Sequence, residues 1–231
     1  RWSGRIDGGA VIALIGRRAA GLVLTLALVS IVVFVVTDVL PGDPAAIMLG
    51  TSARPDTLAA LRQELGLDQP AIARYLAWVG GLLTGSFGTS ITYGVPVAGL
   101  IAERLAVTLP LAGLSIVIAM ILALPLGIAA GYRRDEPLDY GALAFAQTAL
   151  TLPNFWIGLI LILIFSTWLG WFPAGGFPGW SAGLLKALQA LLLPAVALAL
   201  PQAGILTRVD RTAIVELAGD DFVRAARGKG L

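Results

Sequence analysis

Cysteine and histidine are absent from all 231 residues of the chain. Without them the chain has no disulfide framework, no thiol nucleophile, no imidazole base and no Cys/His metal site. Charged residues are also scarce, at 13% of the chain, and the formal net charge is only +2. The basic residues lie mostly near the ends of apolar stretches, which argues against nucleic-acid binding. The sequence therefore predicts no catalytic residue, no cofactor and no metal ion.

Hydrophobic residues make up 58% of the chain, and the mean hydropathy is +0.87. These values exclude an ordinary soluble domain. A bilayer core is crossed by about 20 mainly apolar residues in a helix, and four windows meet that requirement: 18–40, 105–131, 138–169 and 186–207. The expected fold is an all-α integral membrane protein, a polytopic helical bundle with four spans.

The distribution of lysine and arginine predicts the orientation of these spans. Each span carries the chain to the other side of the membrane, so the segments between spans alternate between the two sides. Eleven of the sixteen basic residues fall in three segments that lie on the same side. The positive-inside rule assigns that side to the cytoplasm. We therefore expect a cytoplasmic N-terminal arm at 1–17, an extracytoplasmic segment at 41–104 and a transmembrane core at 105–231 whose last part, 208–231, is cytoplasmic. The basic residues on this side are Arg1, Arg5, Arg17, Arg18, Arg133, Arg134, Arg208, Arg211, Arg224, Arg227 and Lys229.

The third window, 138–169, is too long for one straight crossing. As a helix its 32 residues extend over about 48 Å, against a hydrocarbon core of about 30 Å. Pro153 is expected to kink it, because proline removes a backbone hydrogen bond and clashes with the preceding turn. Two crossings in this window would place 208–231 outside and violate the charge distribution.

The segment 41–104 reads as a small amphipathic helical cap. Asp43 is a good N-cap residue, followed by Pro44 at the first helical position. Asp56 is expected to cap a second helix that ends near Gly66, and a third is expected from Pro70 to Leu83. Pro96 is expected to open a helix that leads into the second span.

The end of the chain predicts a short helix on the cytoplasmic side. Asp221 is a suitable N-cap, while Gly228 and Gly230 favour termination, which leaves about two helical turns between them. At roughly 100° per residue, one face is small and apolar and the opposite face is basic. Another protein could approach such a face closely. The apolar face carries Phe222, Ala225 and Ala226, and the basic face carries Arg224 and Arg227.

This terminal segment, Asp221-Phe-Val-Arg-Ala-Ala-Arg-Gly-Lys-Gly-Leu231, resembles the cytoplasmic coupling loop of binding-protein-dependent ABC importer permeases. The family pattern is Glu-Ala-Ala, three residues, then Gly. Here Arg224 stands at the Glu position, and the segment resembles the dipeptide/oligopeptide/nickel branch, in which that Glu is normally absent. Further segments resemble the same branch along nearly the whole chain: Leu40-Pro-Gly-Asp-Pro44, Glu64-Leu-Gly-Leu-Asp-Gln-Pro70, Gly85-Ser-Phe-Gly-Thr-Ser90, Pro96-Val97 and Leu152-Pro-Asn-Phe-Trp156.

The resemblance implies a type I importer permease in the bacterial inner membrane, which moves peptides or a related solute such as chelated nickel. It implies a second permease subunit, two ATP-binding subunits and an extracytoplasmic substrate-binding protein as partners. The permease itself hydrolyses nothing, and the chain carries no Gly-x-x-x-x-Gly-Lys-Ser/Thr motif. The residues that would contact the ATPase are Asp221, Phe222, Arg224, Ala225, Ala226, Arg227 and Gly230.

A self-contained channel or secondary carrier is the alternative, with the basic tail as a simple anchor. No ionisable residue lies in the middle of a predicted span, whereas ion-coupled carriers usually place such residues there. Polar candidates for lining a solute pathway are few, and interhelical hydrogen bonds worth about 0.6–2 kcal/mol explain them equally well. These candidates are Gln147, Thr151, Asn154 and Gln202.

Two further patterns concern helix packing and the membrane interface. Small residues recur every four positions in the second span and favour close helix packing, either within this chain or against a second permease subunit. Aromatic residues cluster after the third span, where an interfacial belt is the simplest interpretation. The small residues are Ala119, Ala123, Gly127 and Gly131, and the aromatic ones are Trp168, Trp171, Phe172, Phe177 and Trp180.

Overall fold

The computed structural model describes residues 8–39, 43–50, 54–90, 92–220 and 228. Over these residues the regular structure is helical, apart from one isolated antiparallel bridge between Thr89 and Pro96. The all-α fold is therefore confirmed. The chain divides into two compact units, unit 1 at 1–102 and unit 2 at 103–231, and each is described by itself.

Unit 1 begins with the long apolar helix α1, Gly8–Val39. Its span, Val11–Thr37, exposes its side chains almost throughout, as expected of a helix surrounded by lipid or by other subunits. The few hydroxyl groups within it bond to carbonyl groups of the same helix, as Thr25 does to Gly21 at 2.9 Å. Contacts also leave the helix: the hydroxyl groups of Ser30 and Tyr75 lie 2.8 Å apart, and the rings of Phe34 and Tyr75 meet edge to face with centroids 5.3 Å apart.

Three short helices follow in unit 1: α2 at Pro44–Leu49, α3 at Pro55–Glu64 and α4 at Ala71–Leu83. Asp43 caps α2 as expected, since its Oδ1 accepts a hydrogen bond of 3.1 Å from the Ala45 N–H. Its Oδ2 accepts one of 2.7 Å from Arg62 Nε, which ties α3 to α2. The expectation that Asp56 caps α3 is wrong. The N-cap is Arg54, because Thr57 three residues later accepts its backbone N–H and Pro55 takes the first helical position.

Unit 2 holds most of the long helices. Helix α5, Val97–Tyr132, begins in unit 1 directly after Pro96 and runs on through unit 2. A tight turn leads to α6, Pro137–Thr151. Helix α7, Asn154–Leu161, continues into a π-helical segment, Ile162–Trp168. After a loop and a 3₁₀ turn at Trp180–Ala182, α8 runs from Leu184 to Gly219.

The break that was expected at Pro153 is sharper than a kink. Helix α6 ends at Thr151, Pro153 becomes the N-cap residue of α7, and the second helical limb is bent by 101° from the direction of the first. Proline is disfavoured inside a helix but acceptable at its beginning, so the chain restarts the helix in a new direction there. With the bent pair counted as one span, the described helices provide four spans.

Contacts along α8 show the path of this bent pair. Near the end of α8, Arg211 bonds to Asp139 at the start of α6. Further back, Gly204 touches Ala146, and Ala197 touches Gly158 of α7. The pair thus meets α8 at successively earlier positions as it leads away from the turn between α5 and α6. Unit 2 has two ends: the turn end, with residues 133–139 and 207–219, and the loop end, with residues 169–186.

Helix α8 is longer than the window 186–207 suggested. The apolar pattern breaks at Arg208, yet the helix continues to Gly219, and Asp220 takes an extended conformation as its C-cap. Sequence 208–219 is rich in residues that tolerate or favour helix, and Arg211 finds a carboxylate partner that makes its inward position acceptable. A helix of 36 residues is about 54 Å long.

Candidate functional site

The residues predicted to contact an ATPase lie outside the described residues. These are Asp221, Phe222, Arg224, Ala225, Ala226, Arg227 and Gly230, and only Gly228 of that segment is described, in helical conformation. What is described is the helix that leads to them and the way in which its end is held.

A buried ion pair fixes the end of α8 at the turn end. Asp139, in the first turn of α6, is 1% exposed. Its carboxylate accepts hydrogen bonds from Arg211 Nε and, at 2.6 Å, from Arg211 Nη2. The backbone N–H of Asp135 donates a third bond to Asp139 Oδ2 at 3.0 Å. One carboxylate therefore joins α6, α8 and the turn between α5 and α6.

Two glycines bring α5 against the same part of α8. A Cβ atom added to Gly127 would lie 2.6 Å from Asp210 Cβ, and one added to Gly131 would lie 2.6 Å from Ile214 Cβ. Only glycine allows two helix backbones to approach this closely. Further from the turn end on the same helices, Ala119 and Ala123 form a buried core with Ala199 and Ala203. The four small residues of α5 thus pack within the chain, as the internal-packing interpretation predicted.

The predicted pathway residues all have exposed side chains in unit 2. Gln147 and Thr151 lie one turn apart near the end of α6, where the Thr151 hydroxyl donates to the Gln147 carbonyl at 2.8 Å. Asn154 is the first residue of α7, directly after the break. Gln202 is exposed on α8, between the exposed apolar residues Leu198 and Ile205. Gln147, Thr151 and Asn154 therefore bracket the bend, and Gln202 lies on a different helix.

An apolar cavity of about 220 Å³ opens at the bend. It is lined by residues from both limbs of the bent pair and by Leu200 of α8, and its walls include Phe145, Thr148 and Trp156. A second cavity, of about 460 Å³, opens at the loop end between the loop and the first turns of α8, where Lys186 and Gln189 line it. Neither was predicted from the sequence.

The loop end is held by aromatic contacts and one long-range hydrogen bond. Phe177 and Trp180 meet edge to face with ring centroids 5.3 Å apart, and Phe165 contacts Trp171 at 5.9 Å. The Trp180 indole N–H donates to the carbonyl of Ala106 in α5 at 2.9 Å. These aromatic residues do more than form an interfacial belt, because they fasten the loop to α5 and to the π-helical segment.

Sequence reasoning missed the Asp139–Arg211 pair. Arg211 was counted among the basic residues of the cytoplasmic side, Asp139 was assigned no role, and the apolar windows gave no reason to connect them. The signal was present in the topology, since both residues fall at span ends predicted to share one side. The pair could have been found by looking for a charge just inside one predicted span and an opposite charge at the end of another span on the same side.

Two family profiles match the chain. Residues 11–112 match the profile described as the N-terminal part of the binding-protein-dependent transport system membrane component. Residues 123–231 match the binding-protein-dependent transport system inner membrane component. The second match contains the bent pair, α8 and the segment that follows α8.

Several curated proteins are similar over most of the chain. A putative peptide transport system permease protein of Brucella suis is 38% identical over 219 residues, which cover 95% of this chain and 70% of that protein. The oligopeptide transport system permease protein AppB of Bacillus subtilis is 36% identical over 205 residues, 87% of this chain and 65% of that protein. The glutathione transport system permease protein GsiC of Salmonella choleraesuis is 35% identical over 215 residues, 93% of this chain and 68% of that protein.

Proposed function

Because the chain belongs to the binding-protein-dependent ABC importer permeases of the peptide family, we propose that it is one permease subunit of an ATP-driven importer of di- or oligopeptides. The observation that carries this proposal is the similarity to relatives named for peptide, oligopeptide or glutathione transport, which extends over nearly the whole chain. These names favour peptides over chelated nickel, which the sequence alone had left open as an example of a related solute.

The proposed assembly contains a second permease subunit, two ATP-binding subunits and an extracytoplasmic substrate-binding protein, in the inner membrane of a bacterium. The binding protein would contact the cap formed by α2, α3 and α4. Unit 1 offers a polar cavity of about 340 Å³ there, with both acidic and basic residues in its lining. Charged groups of both signs suit a transient protein contact, because they orient a partner without holding it permanently. The cavity lining includes Asp43, Arg62, Asp68 and Arg74.

The segment 221–230 would sit in a groove of an ATP-binding subunit. ATP-driven closure of the two ATP-binding subunits would push this segment and rock the spans between inward-open and outward-open states. All of the covalent chemistry takes place in the partner subunits. The permease contributes a path and a mechanical connection.

The solute path would run along the exposed polar face around the bend, where Gln147, Thr151 and Asn154 lie, and past Gln202. Side chains that are exposed in one subunit become the lining of a path when a second permease subunit packs opposite them. Amide and hydroxyl groups hold peptide bonds through weak hydrogen bonds. Weak binding suits a path from which the cargo must be released.

The decisive test is reconstitution of the complete transporter, with its full-length permease subunits, in proteoliposomes. Uptake of a labelled di- or tripeptide should require the binding protein outside the vesicle and ATP on the side of the ATP-binding subunits. A nickel chelate serves as the competing cargo. Uptake that continues without ATP and without the ATP-binding subunits would favour the channel or secondary carrier instead.

A variant pair tests the coupling segment. Ala226→Leu should lower peptide uptake at least tenfold while insertion and subunit assembly remain normal, because the added bulk blocks close approach to the ATP-binding subunit. Ala174→Leu, an equal change at an exposed position of the loop end, is the matched control and should retain uptake. Normal uptake by the Ala226→Leu transporter would remove the coupling role from this segment.

A further inference from the structure

We propose that Asp139 and Arg211 form a positioning brace that makes the end of α8 move as one body with α6 and the α5–α6 turn. The brace would pass displacement of the segment after α8 to all three helices. This inference rests on the proposed function, because it supplies the mechanical link between the coupling segment and the spans.

The geometry of the pair favours a positioning role. Asp139 is almost fully buried, and three donors satisfy its carboxylate, two from Arg211 and one from the Asp135 backbone. A buried ion pair contributes little net stability compared with well-packed apolar residues of the same volume. It does fix a direction, since the planar guanidinium binds a carboxylate through two parallel hydrogen bonds.

The turn between α5 and α6 is held by the same carboxylate. Asp135 has a φ of +64°, a left-handed conformation that is uncommon for a residue other than glycine. This conformation accompanies the hydrogen bond from its N–H to Asp139 Oδ2. Gly127 and Gly131 press the end of α5 onto α8 at the same level. Three elements therefore meet at one point.

The position of the brace along α8 explains why it would be needed. Helix α8 contains Pro194 and Pro201, and each proline removes a backbone hydrogen bond and makes bending easier. Both prolines precede Arg211. The length of helix from Arg211 to the end of α8 is about 12 Å. A force applied after Gly219 would be absorbed by bending at Pro201 if the last turns of α8 were not tied to α5 and α6.

The test separates positioning from simple stability. In the reconstituted transporter, Asp139→Leu with Arg211→Met removes both charges of the pair together, so that neither partner is left buried without the other. We expect this double variant to assemble and to hydrolyse ATP within about twofold of the wild-type rate, while peptide uptake per ATP falls at least tenfold. Arg211→Lys, which keeps the charge but loses the two-pronged geometry, should lower uptake per ATP in the same direction. Arg208→Lys, at an exposed position one turn earlier, is the matched control and should leave this ratio unchanged.

A distance measurement tests the brace without relying on transport. The chain has no cysteine, so Tyr132→Cys and Leu217→Cys, both at exposed positions, give two sites for spin labels. The wild-type pair should give a narrow distance distribution, and the Asp139→Leu/Arg211→Met background should give a distinctly broader one. An equally narrow distribution, or wild-type uptake per ATP in the double variant, would overturn the brace. A wild-type transporter that shows no ATP-driven uptake would refute the proposed function alone, and the distance measurement would still decide the brace.

Discussion

The two ends of unit 2 use glycine for opposite purposes. At the turn end, Gly127 and Gly131 lie inside a regular helix and allow α5 and α8 to touch backbone to backbone. At the loop end, Gly176 has a φ of +79° and open space around it, so it lets the backbone turn and does not serve a close contact. The same residue type therefore marks a tightly packed end and an open end of one unit.

The difference teaches what each end is able to do. The turn end has a buried ion pair and close helix contacts, which are the contacts expected of a rigid connection. The loop end is built from exposed residues around a cavity and is held by a few aromatic contacts. Local opening requires less free energy where few apolar contacts are buried.

The largest effect is expected from adding bulk at the turn end. Gly131→Leu should destabilise unit 2 by about 3 kcal/mol or more, because even the first added carbon would overlap Ile214. Thermal unfolding of the purified permease in detergent measures this as a lowered midpoint. Gly175→Leu, at an open position of the loop end, is the control. Equal midpoints for the two variants would mean that the close contact does not stabilise the fold.

A smaller effect is expected from backbone strain at the loop end. Gly176→Ala places a side chain in the left-handed region and should cost about 1–2 kcal/mol. Gly175→Ala, one residue earlier and outside that region, should cost close to nothing. The rate of proteolysis within the loop gives the comparison. If both variants are cleaved at the same rate, the conformation of Gly176 is not required there.

The smallest effect is expected from the hydrogen bond that fastens the loop to α5. Trp180→Phe removes the bond to the Ala106 carbonyl and retains an aromatic ring beside Phe177, so about 0.5–1.5 kcal/mol of local stability should be lost. Amide hydrogen exchange should become faster in the loop and stay unchanged around Asp139. Faster exchange at both ends would indicate that the two ends are not independent.

Composition and apolar length were enough to predict the helical class and the approximate location of every long helix. Local rules also gave the Asp43 cap, since that cap depends only on neighbouring residues. The same rules failed at Asp56, because the adjacent Arg54-Pro55-Asp-Thr57 sequence offers an equally good start two residues earlier. The position of a helix end depends on more than the residues next to it. For that reason α8 continues twelve residues past the C-terminal end of its apolar window.

The candidate site was less predictable from the sequence. The coupling residues came from the resemblance, and their structural role stays a prediction because they lie outside the described residues. The Asp139–Arg211 pair depends on two residues 72 positions apart, and no periodicity within one helix reports such a contact. The 101° bend was also underestimated, since Pro153 signals an interruption of the helix without setting the angle at which the next helix leaves.

The bend at Pro153 has a consequence for the surroundings of the bent pair. Where α6 stops, its last carbonyl groups lose their partners within the helix, and hydrocarbon offers no replacement. Irregular backbone at membrane depth persists only against other protein or beside water. The middle of this crossing must therefore be screened from the acyl chains, and a wet crevice reaching to the level of Pro153 would meet that need.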